Sequence, residues 1–368
     1  MIFKREHLKI ISVVVIIKIF ILIFAVHSFQ VVNNQPLTDN YWYWQLWRQW
    51  DAKHYLEIAQ NGYTNQGENR YLIVYFPLFP LLIAFLNLIF GDYLFSSFVV
   101  SGIASIGVGL LFYEIVKLDF SEKIAELSVL FLFIFPTSYF LHIPYTESLF
   151  LALCLSCFLA ARQRFWLIVG ITGFLACLTR INGLFLFLAI IFEIWEEYKE
   201  TKSINFKWLW ITLIPIGFAT YLALNYFITG NPTMFLTYQN EHWGRYLRFP
   251  WEGLYESYKA LFNQEPNVFL MKGFYEIFFV LIGFLAIILG WKIFRNSYRV
   301  WLILNWLIFV STSFVLSVPR YTLLLFPLFI LMALASEKNW YAKITFTIWS
   351  ILYLALFITQ FIRKGWAF

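Results

Sequence analysis

Apolar runs of about twenty residues, each long enough to cross a bilayer as an α-helix, follow one another along this chain from residues 8–29 to residues 340–362. Inside lipid the backbone can satisfy its polar groups only within helices or a closed barrel. A barrel strand reads as about ten residues of alternating character, whereas these runs are continuous, so helices are expected. Charged residues make up 13% of the chain, against about 25% in an average soluble domain, too few to build a soluble surface. The fold expected is therefore all-α: one integral membrane domain over residues 1–368, a polytopic bundle crossing the bilayer roughly ten times.

Spans read at residues 8–29, 73–90, 93–116, 124–141, 148–161, 165–178, 184–194, 208–228, 273–291, 300–318, 322–335 and 340–362, several of them too short to cross alone. The first is too long for the core of a cleaved signal and is read as a retained span. The net charge of +6 does not mark a nucleic-acid partner. Its basic residues sit in short loops as Lys4-Arg5, Arg162 with Arg164, and Lys292 with Arg295 and Arg299, which is the positive-inside pattern. That pattern puts loops 30–72 and 229–272 outside. It also leaves a conflict of one crossing between residues 73 and 161, which Tyr75-Phe76-Pro77-Leu78-Phe79-Pro80 resolves if it is re-entrant, because two prolines remove backbone donors. The C-terminus then falls outside.

Aromatic residues are 22% of the chain. Both outer loops carry dense aromatic stretches, at residues 41–47 and 243–251, which suit amphipathic helices lying in the headgroup plane. The small residues Gly102, Ser105, Gly107, Gly109, Gly170 and Gly173 are expected to let helices approach closely. Cys154, Cys157 and Cys177 lie within apolar runs and read as packing rather than as redox chemistry.

Few polar residues remain as candidates for chemistry. Asp51, His54 and Tyr55 of Trp50-Asp51-Ala52-Lys53-His54-Tyr55 share one helical face, and a carboxylate at the water–lipid boundary can accept a proton from an attacking hydroxyl. The alternative is a solvated Asp paired with Lys53 or a neighbouring loop. Glu147, in Pro144-Tyr145-Thr146-Glu147-Ser148, either positions a hydroxyl or Asp51, or only complements a helix N-terminus. Arg180 and Asn182, in Thr179-Arg180-Ile181-Asn182-Gly183, and Arg320, in Pro319-Arg320-Tyr321, are flanked by apolar sequence. Ionisable groups at such depth point to function, and a guanidinium fork suits a phosphodiester. Snorkelling, or pairing with Asp51 or Glu147, is the alternative. The five histidines are dispersed and no HExxH or Asp-x-Asp pattern occurs, so no metal site or cofactor is read, although a divalent ion is compatible with the chemistry. No phosphate-cradling glycine loop is present either.

Taken in order, Trp50-Asp51, Gly62-Tyr63, Tyr75-Phe76-Pro77-Leu78-Phe79-Pro80, Phe135-Pro136, Pro144-Tyr145-Thr146-Glu147-Ser148, Thr179-Arg180-Ile181-Asn182-Gly183 and Pro319-Arg320-Tyr321 resemble the PIG-V-type mannosyltransferase family. Gly230-Asn231-Pro232 and Trp243-Gly244-Arg245 look like its bacterial branch. That family is similar to the GT-C glycosyltransferases, multi-span enzymes with a catalytic carboxylate in the first extracytoplasmic loop. The resemblance implies an inverting transfer of a sugar, expected to be mannose, from a polyprenyl-phosphate donor to a lipid or glycan acceptor at the outer face of a bacterial inner membrane. It implies Asp51 as general base, with Glu147 beside it. Trp50, His54, Tyr63, Arg180, Asn182, Trp243, Arg245, Arg320 and Tyr321 are the candidate substrate contacts, and membrane lipids rather than nucleic acid are the expected surroundings. A multi-span transporter or lipid flippase is the rival class, marked by inverted repeats, which the sequence does not show.

Overall fold

A computed structural model of the protein describes residues 5–33 and 41–368; residues 34–40 of the first outer loop, and Lys4, lie outside the described residues. In chain order the helices are α1 (Arg5–Asn33), α2 (Tyr41–Gln45), α3 (Asp51–Asn61), α4 (Leu78–Phe90), α5 (Tyr93–Lys117), α6 (Glu122–Ile134), α7 (Glu147–Arg162), α8 (Trp166–Cys177) and α9 (Leu184–Thr201). Then come α10 (Leu213–Thr229), α11 (Met234–Trp243), α12 (Pro250–Ala260), α13 (Tyr275–Gly290), α14 (Asn296–Val310), the single turn α15 (Val318–Tyr321), α16 (Pro327–Lys338) and α17 (Trp340–Ile362). Tighter 3₁₀ segments precede α4 and α10, and a π-helical turn, Val268–Phe274, leads into α13. Among the described residues there is no strand. The fold is all-α, as the apolar runs require.

The helices stop where their capping residues dictate. Asp92 accepts the Phe95 N–H at the start of α5, and Asn339 does the same for Tyr341 at the start of α17, each satisfying a donor that the helix leaves open. Close packing uses the small residues as expected. A side chain at Gly109 of α5 would stand 2.8 Å from Val14 of α1. The three cysteines are buried and free.

The charged residues sort the bundle into two ends. At one end α1 meets α5 and α6 through His7–Glu114 (2.7 Å) and Lys9–Glu126. There too Arg162 pairs with Asp119 (2.7 Å), Arg164 with Glu200, Arg295 with Glu193 (2.7 Å) and Lys123 with Glu337 (3.8 Å). The basic loops of the sequence therefore come together. The other end carries Asp51, Glu147, Arg180 and Arg320, and the chain finishes beside them: Trp366 packs on Trp50 at 5.3 Å, and Tyr139 donates to the Ala367 carbonyl at 2.6 Å.

The conflict of one crossing is resolved at the expected place. Glu68–Val74 and α4 meet at a bend of 108°. Leu78 N–H bonds the Leu178 carbonyl next to the site, while Phe90, at the far end of α4, packs on Phe95, which also takes Trp44. Both ends of α4 thus belong to the same end of the bundle, so the segment lies along it and does not traverse.

By length and composition five described helices can cross alone, or up to seven if each bent pair counts as one span; shorter ones, such as the 16-residue α7 running from Glu147 at the Asp51 end to Arg162 at the opposite end, also join the two ends of the bundle. Two expectations are corrected. Residues 243–251 do not form one amphipathic helix. Gly244, at φ 64°, ends α11, and the following residues run alongside 311–313, with Arg248 N–H bonded to Ser311 O and Ser313 N–H to Tyr246 O. The same pairing ends the span expected at 300–318 early, at Val310.

Candidate active site

Asp51 opens α3. Ala52, Tyr55, Leu56 and Ile58 are buried, a spacing that lays one face of the helix on the bundle and turns its first residue toward the core's edge. Trp50 enters the helix at φ 50°, a left-handed geometry that costs a non-glycine residue energy. Its neighbours hold it there: Tyr145 donates to Gln49 O at 3.0 Å, and Trp47 is fully buried.

Arg320 arrives from the opposite direction. Ser317, at φ 67°, turns the chain into α15, and both of its leading N–H groups, Ser317 (2.6 Å) and Val318 (2.8 Å), are taken by the fully buried Glu276 of α13. Thr137 bonds Pro319 O at 2.8 Å. So anchored, Arg320 donates from Nη1 to Asp51 Oδ2 at 2.7 Å and from Nε to Glu147 Oε1. Arg180 reaches the same Glu147 oxygen at 2.7 Å and Thr146 Oγ1 at 3.0 Å.

A chain of alternating charge results: Asp51, Arg320, Glu147, Arg180. Its members differ in access. Glu147 is fully enclosed and Arg320 nearly so, at 6% side-chain exposure, whereas Asp51 keeps 30%. Removing one partner from a buried pair strands the other's charge, so the interior half of the chain holds the outer half in place. Asp51 is the member most open to a substrate, followed by Arg180 at 14% side-chain exposure.

Aromatic side chains line the approach. Tyr75 donates to the second Asp51 oxygen at 3.2 Å and packs on His54 at 5.1 Å and Trp243 at 6.2 Å. Tyr63 bonds the Tyr75 carbonyl at 2.7 Å. The Tyr321 ring lies among three guanidiniums, with Arg180 at 5.0 Å, Arg320 at 5.7 Å and Arg245 at 5.8 Å. Among the described residues the Arg245 side chain makes one long hydrogen bond, 3.4 Å to the Tyr321 hydroxyl, and so keeps free donors.

Burial would raise the Asp51 carboxyl, but the Arg320 charge and hydrogen bond outweigh it and hold the group below its usual value. Burial lowers His54 despite the pull of Asp51. At neutral pH the pair is therefore a carboxylate beside a neutral imidazole.

Of the residues read from the sequence, Asp51, His54, Glu147, Arg180, Arg320 and Tyr321 converge directly. Trp50, Tyr63, Trp243 and Arg245 stand one contact away. Asn182 is placed elsewhere: it is buried and donates to Asn305 of α14 at 2.8 Å. Tyr75, Tyr145 and Glu276 had no role assigned from the sequence. Glu276, an acid inside an apolar run, carried the same signal as Arg180. Among the described residues no three His, Cys, Asp or Glu side chains are grouped to hold a metal ion.

The bundle, with Asp51, Glu147, Arg180 and Arg320 gathered at one end, is that of a multi-pass helical membrane protein. The family described as dolichyl-phosphate-mannose-protein mannosyltransferase matches residues 76–224, less than half of the chain, a stretch that includes Glu147 and Arg180. The structure is similar to ArnT from Cupriavidus metallidurans, a crystal structure bound to undecaprenyl phosphate, with a TM-score of 0.53 and 16% sequence identity. The alignment covers 89% of this chain and 60% of ArnT. No curated protein matches the sequence.

Proposed function

We propose that this protein is a membrane glycosyltransferase that moves a sugar from a polyprenyl-phosphate donor to a hydroxyl of a lipid or glycan acceptor, with Asp51 as general base. The reading is supported by the family match, by the likeness to a protein bound to undecaprenyl phosphate, and by the resemblance to PIG-V-type enzymes. Mannose is the sugar that the matching family's description favours. The basic loops favour the outer face, and the resemblance to the bacterial branch favours a bacterial inner membrane.

One observation carries the mechanism: a partly exposed carboxylate, ionised by a buried guanidinium, at one end of the bundle. The acceptor hydroxyl meets Asp51 and loses its proton to it as the oxygen attacks the anomeric carbon. The bond from that carbon to the donor phosphate breaks, with inversion, and the polyprenyl phosphate leaves as an anion. Arg320 gives two of its five donors to Glu147 and Asp51, and through them it orients and ionises Asp51. Arg245, with free donors, and Arg180 face the Tyr321 ring and are suited to the phosphate, whose charge grows as the bond breaks. Tyr63, Trp50, His54 and Trp243 shape the sugar's surroundings directly or through Tyr75. Glu147 acts by positioning both arginines. The test is incubation of the purified protein with polyprenyl-phosphate mannose, following release of polyprenyl phosphate. No release with any acceptor lipid supplied would overturn the reading.

A further inference from the structure

The end of the bundle remote from Asp51 carries a cleft of about 410 Å³ between the last turns of α9 and the first turn of α14. Its walls are of mixed sign: Glu193, Glu196 and Glu200 from one face of α9, against Arg295, Ser297 and Arg299. The floor is already satisfied. Glu193 takes two hydrogen bonds from Arg295, at 3.0 and 2.7 Å, and one from Ser297.

The rim is not. Glu196 spends one oxygen on the exposed Lys199 at 3.1 Å, and Glu200 one oxygen on the exposed Arg164. Arg299 gives Nη1 to Asn296 at 3.1 Å, while its Nε is buried without a hydrogen-bond partner among the described residues. Unused carboxylate oxygens therefore share the cleft with a guanidinium that keeps unused donors. A simple anion entering here meets three carboxylates, and a simple cation meets two guanidiniums, and like charges brought together are penalised. A ligand that carries both signs meets neither penalty.

The surroundings identify the depth. Exposed Trp195 and Trp291 flank the cleft, each with a cation over its ring, Lys199 at 5.6 Å and Arg299 at 5.4 Å, as in the aromatic belt at a headgroup layer. Exposed Leu188 lies one helical turn before Phe192 of the cleft on α9, and exposed Ile288 and Leu289 close α13 just before Trp291. We infer that the α9–α14 cleft binds the headgroup of an aminophospholipid, its phosphate on Arg299 and its ammonium between Glu196 and Glu200, with the acyl chains along the apolar surface. The site is independent of the transfer chemistry.

The test uses the full chain, delipidated in detergent and titrated with phosphatidylethanolamine and with phosphatidylglycerol of the same acyl chains, read by native mass spectrometry. One phosphatidylethanolamine retained with about tenfold preference, and loss of that preference in Glu196→Gln and in Arg299→Gln, is the expected result. Glu200→Gln, on an exposed side chain, replaces Arg299→Gln should that variant not fold. Equal retention of both lipids, or a preference that survives the substitutions, overturns the site. Stabilisation by soluble phosphoethanolamine without retention of the lipid assigns the cleft to a soluble zwitterion and overturns the lipid.

Discussion

Arg320 Nη1 stands 2.7 Å from Asp51 Oδ2 although 269 positions separate the two residues in the chain. The pair joins the first outer loop to the broken helix near the other end of the sequence, and Glu147, between them in sequence, shares the same guanidinium. This three-way junction ties the ionisation of the base to the stability of the bundle's charged end.

Asp51→Asn keeps the shape of the side chain and removes the base. Transfer from polyprenyl-phosphate mannose should fall by about 10²–10⁴-fold, with the fold retained and thermal unfolding in detergent only modestly earlier, since Arg320 keeps Glu147 as its counter-charge. Turnover at the parent rate in this variant would take Asp51 out of the mechanism.

The direction of the Asp51 shift sets the pH dependence. A carboxyl held below its ordinary value is ionised at neutral pH. The stability contributed by its pairing is present above the ordinary carboxyl range and is lost as pH falls through the lowered value of the folded protein. The acid limb of kcat/KM should therefore lie below the ordinary carboxyl range, and Arg320→Gln should move it upward, because the largest influence opposing burial is then gone. An acid limb that stays in place in Arg320→Gln would show that this guanidinium does not set the ionisation of the base.

Glu276→Ala strands the Ser317 and Val318 N–H groups in the interior, at a cost of about 1–3 kcal/mol for each. Arg320 loses its anchored turn, so kcat should drop while the donor KM changes little, and Gln at 276 should recover part of the activity by accepting one bond. Equal kcat in Glu276→Ala and the parent would show that α15 holds its shape without this clamp.

Arg245 and Asn182 were both candidates for substrate contact, and their surroundings predict opposite behaviour. Arg245→Gln should raise the donor KM by about tenfold with no loss of melting temperature. Asn182→Ala should lower the melting temperature, because Asn305 loses a buried partner, with donor KM unchanged. A raised donor KM in Asn182→Ala would return that residue to the binding site.

Glu147→Ala leaves Arg320 and Arg180 without their shared counter-charge. Breaking a buried pair from one side costs about 3–5 kcal/mol, which thermal unfolding should register as a large fall in melting temperature. A silent substitution would mean that the interior half of the charge chain is not needed to hold the outer half.

The apolar runs by themselves determined that this chain is helical and multi-spanning, because lipid leaves the backbone no other way to pair its polar groups. The two prolines at 77 and 80, with the count of basic loops, also located the break before α4, since proline removes donors whatever the neighbours do. The ionisable residues in apolar surroundings, Asp51, Glu147, Arg180 and Arg320, were legible for the same reason: their cost in lipid is visible without coordinates. Their partners were not. Spacing along the chain says nothing about which helices lie side by side, and only packing decided that Arg320 meets both carboxylates, that Glu276 caps the turn carrying it, and that Asn182 turns away to Asn305. The true ends of short spans depended on tertiary pairing as well: residues 311–313 leave the helical path because residues 244–248 offer them hydrogen bonds, a competition that no local pattern records.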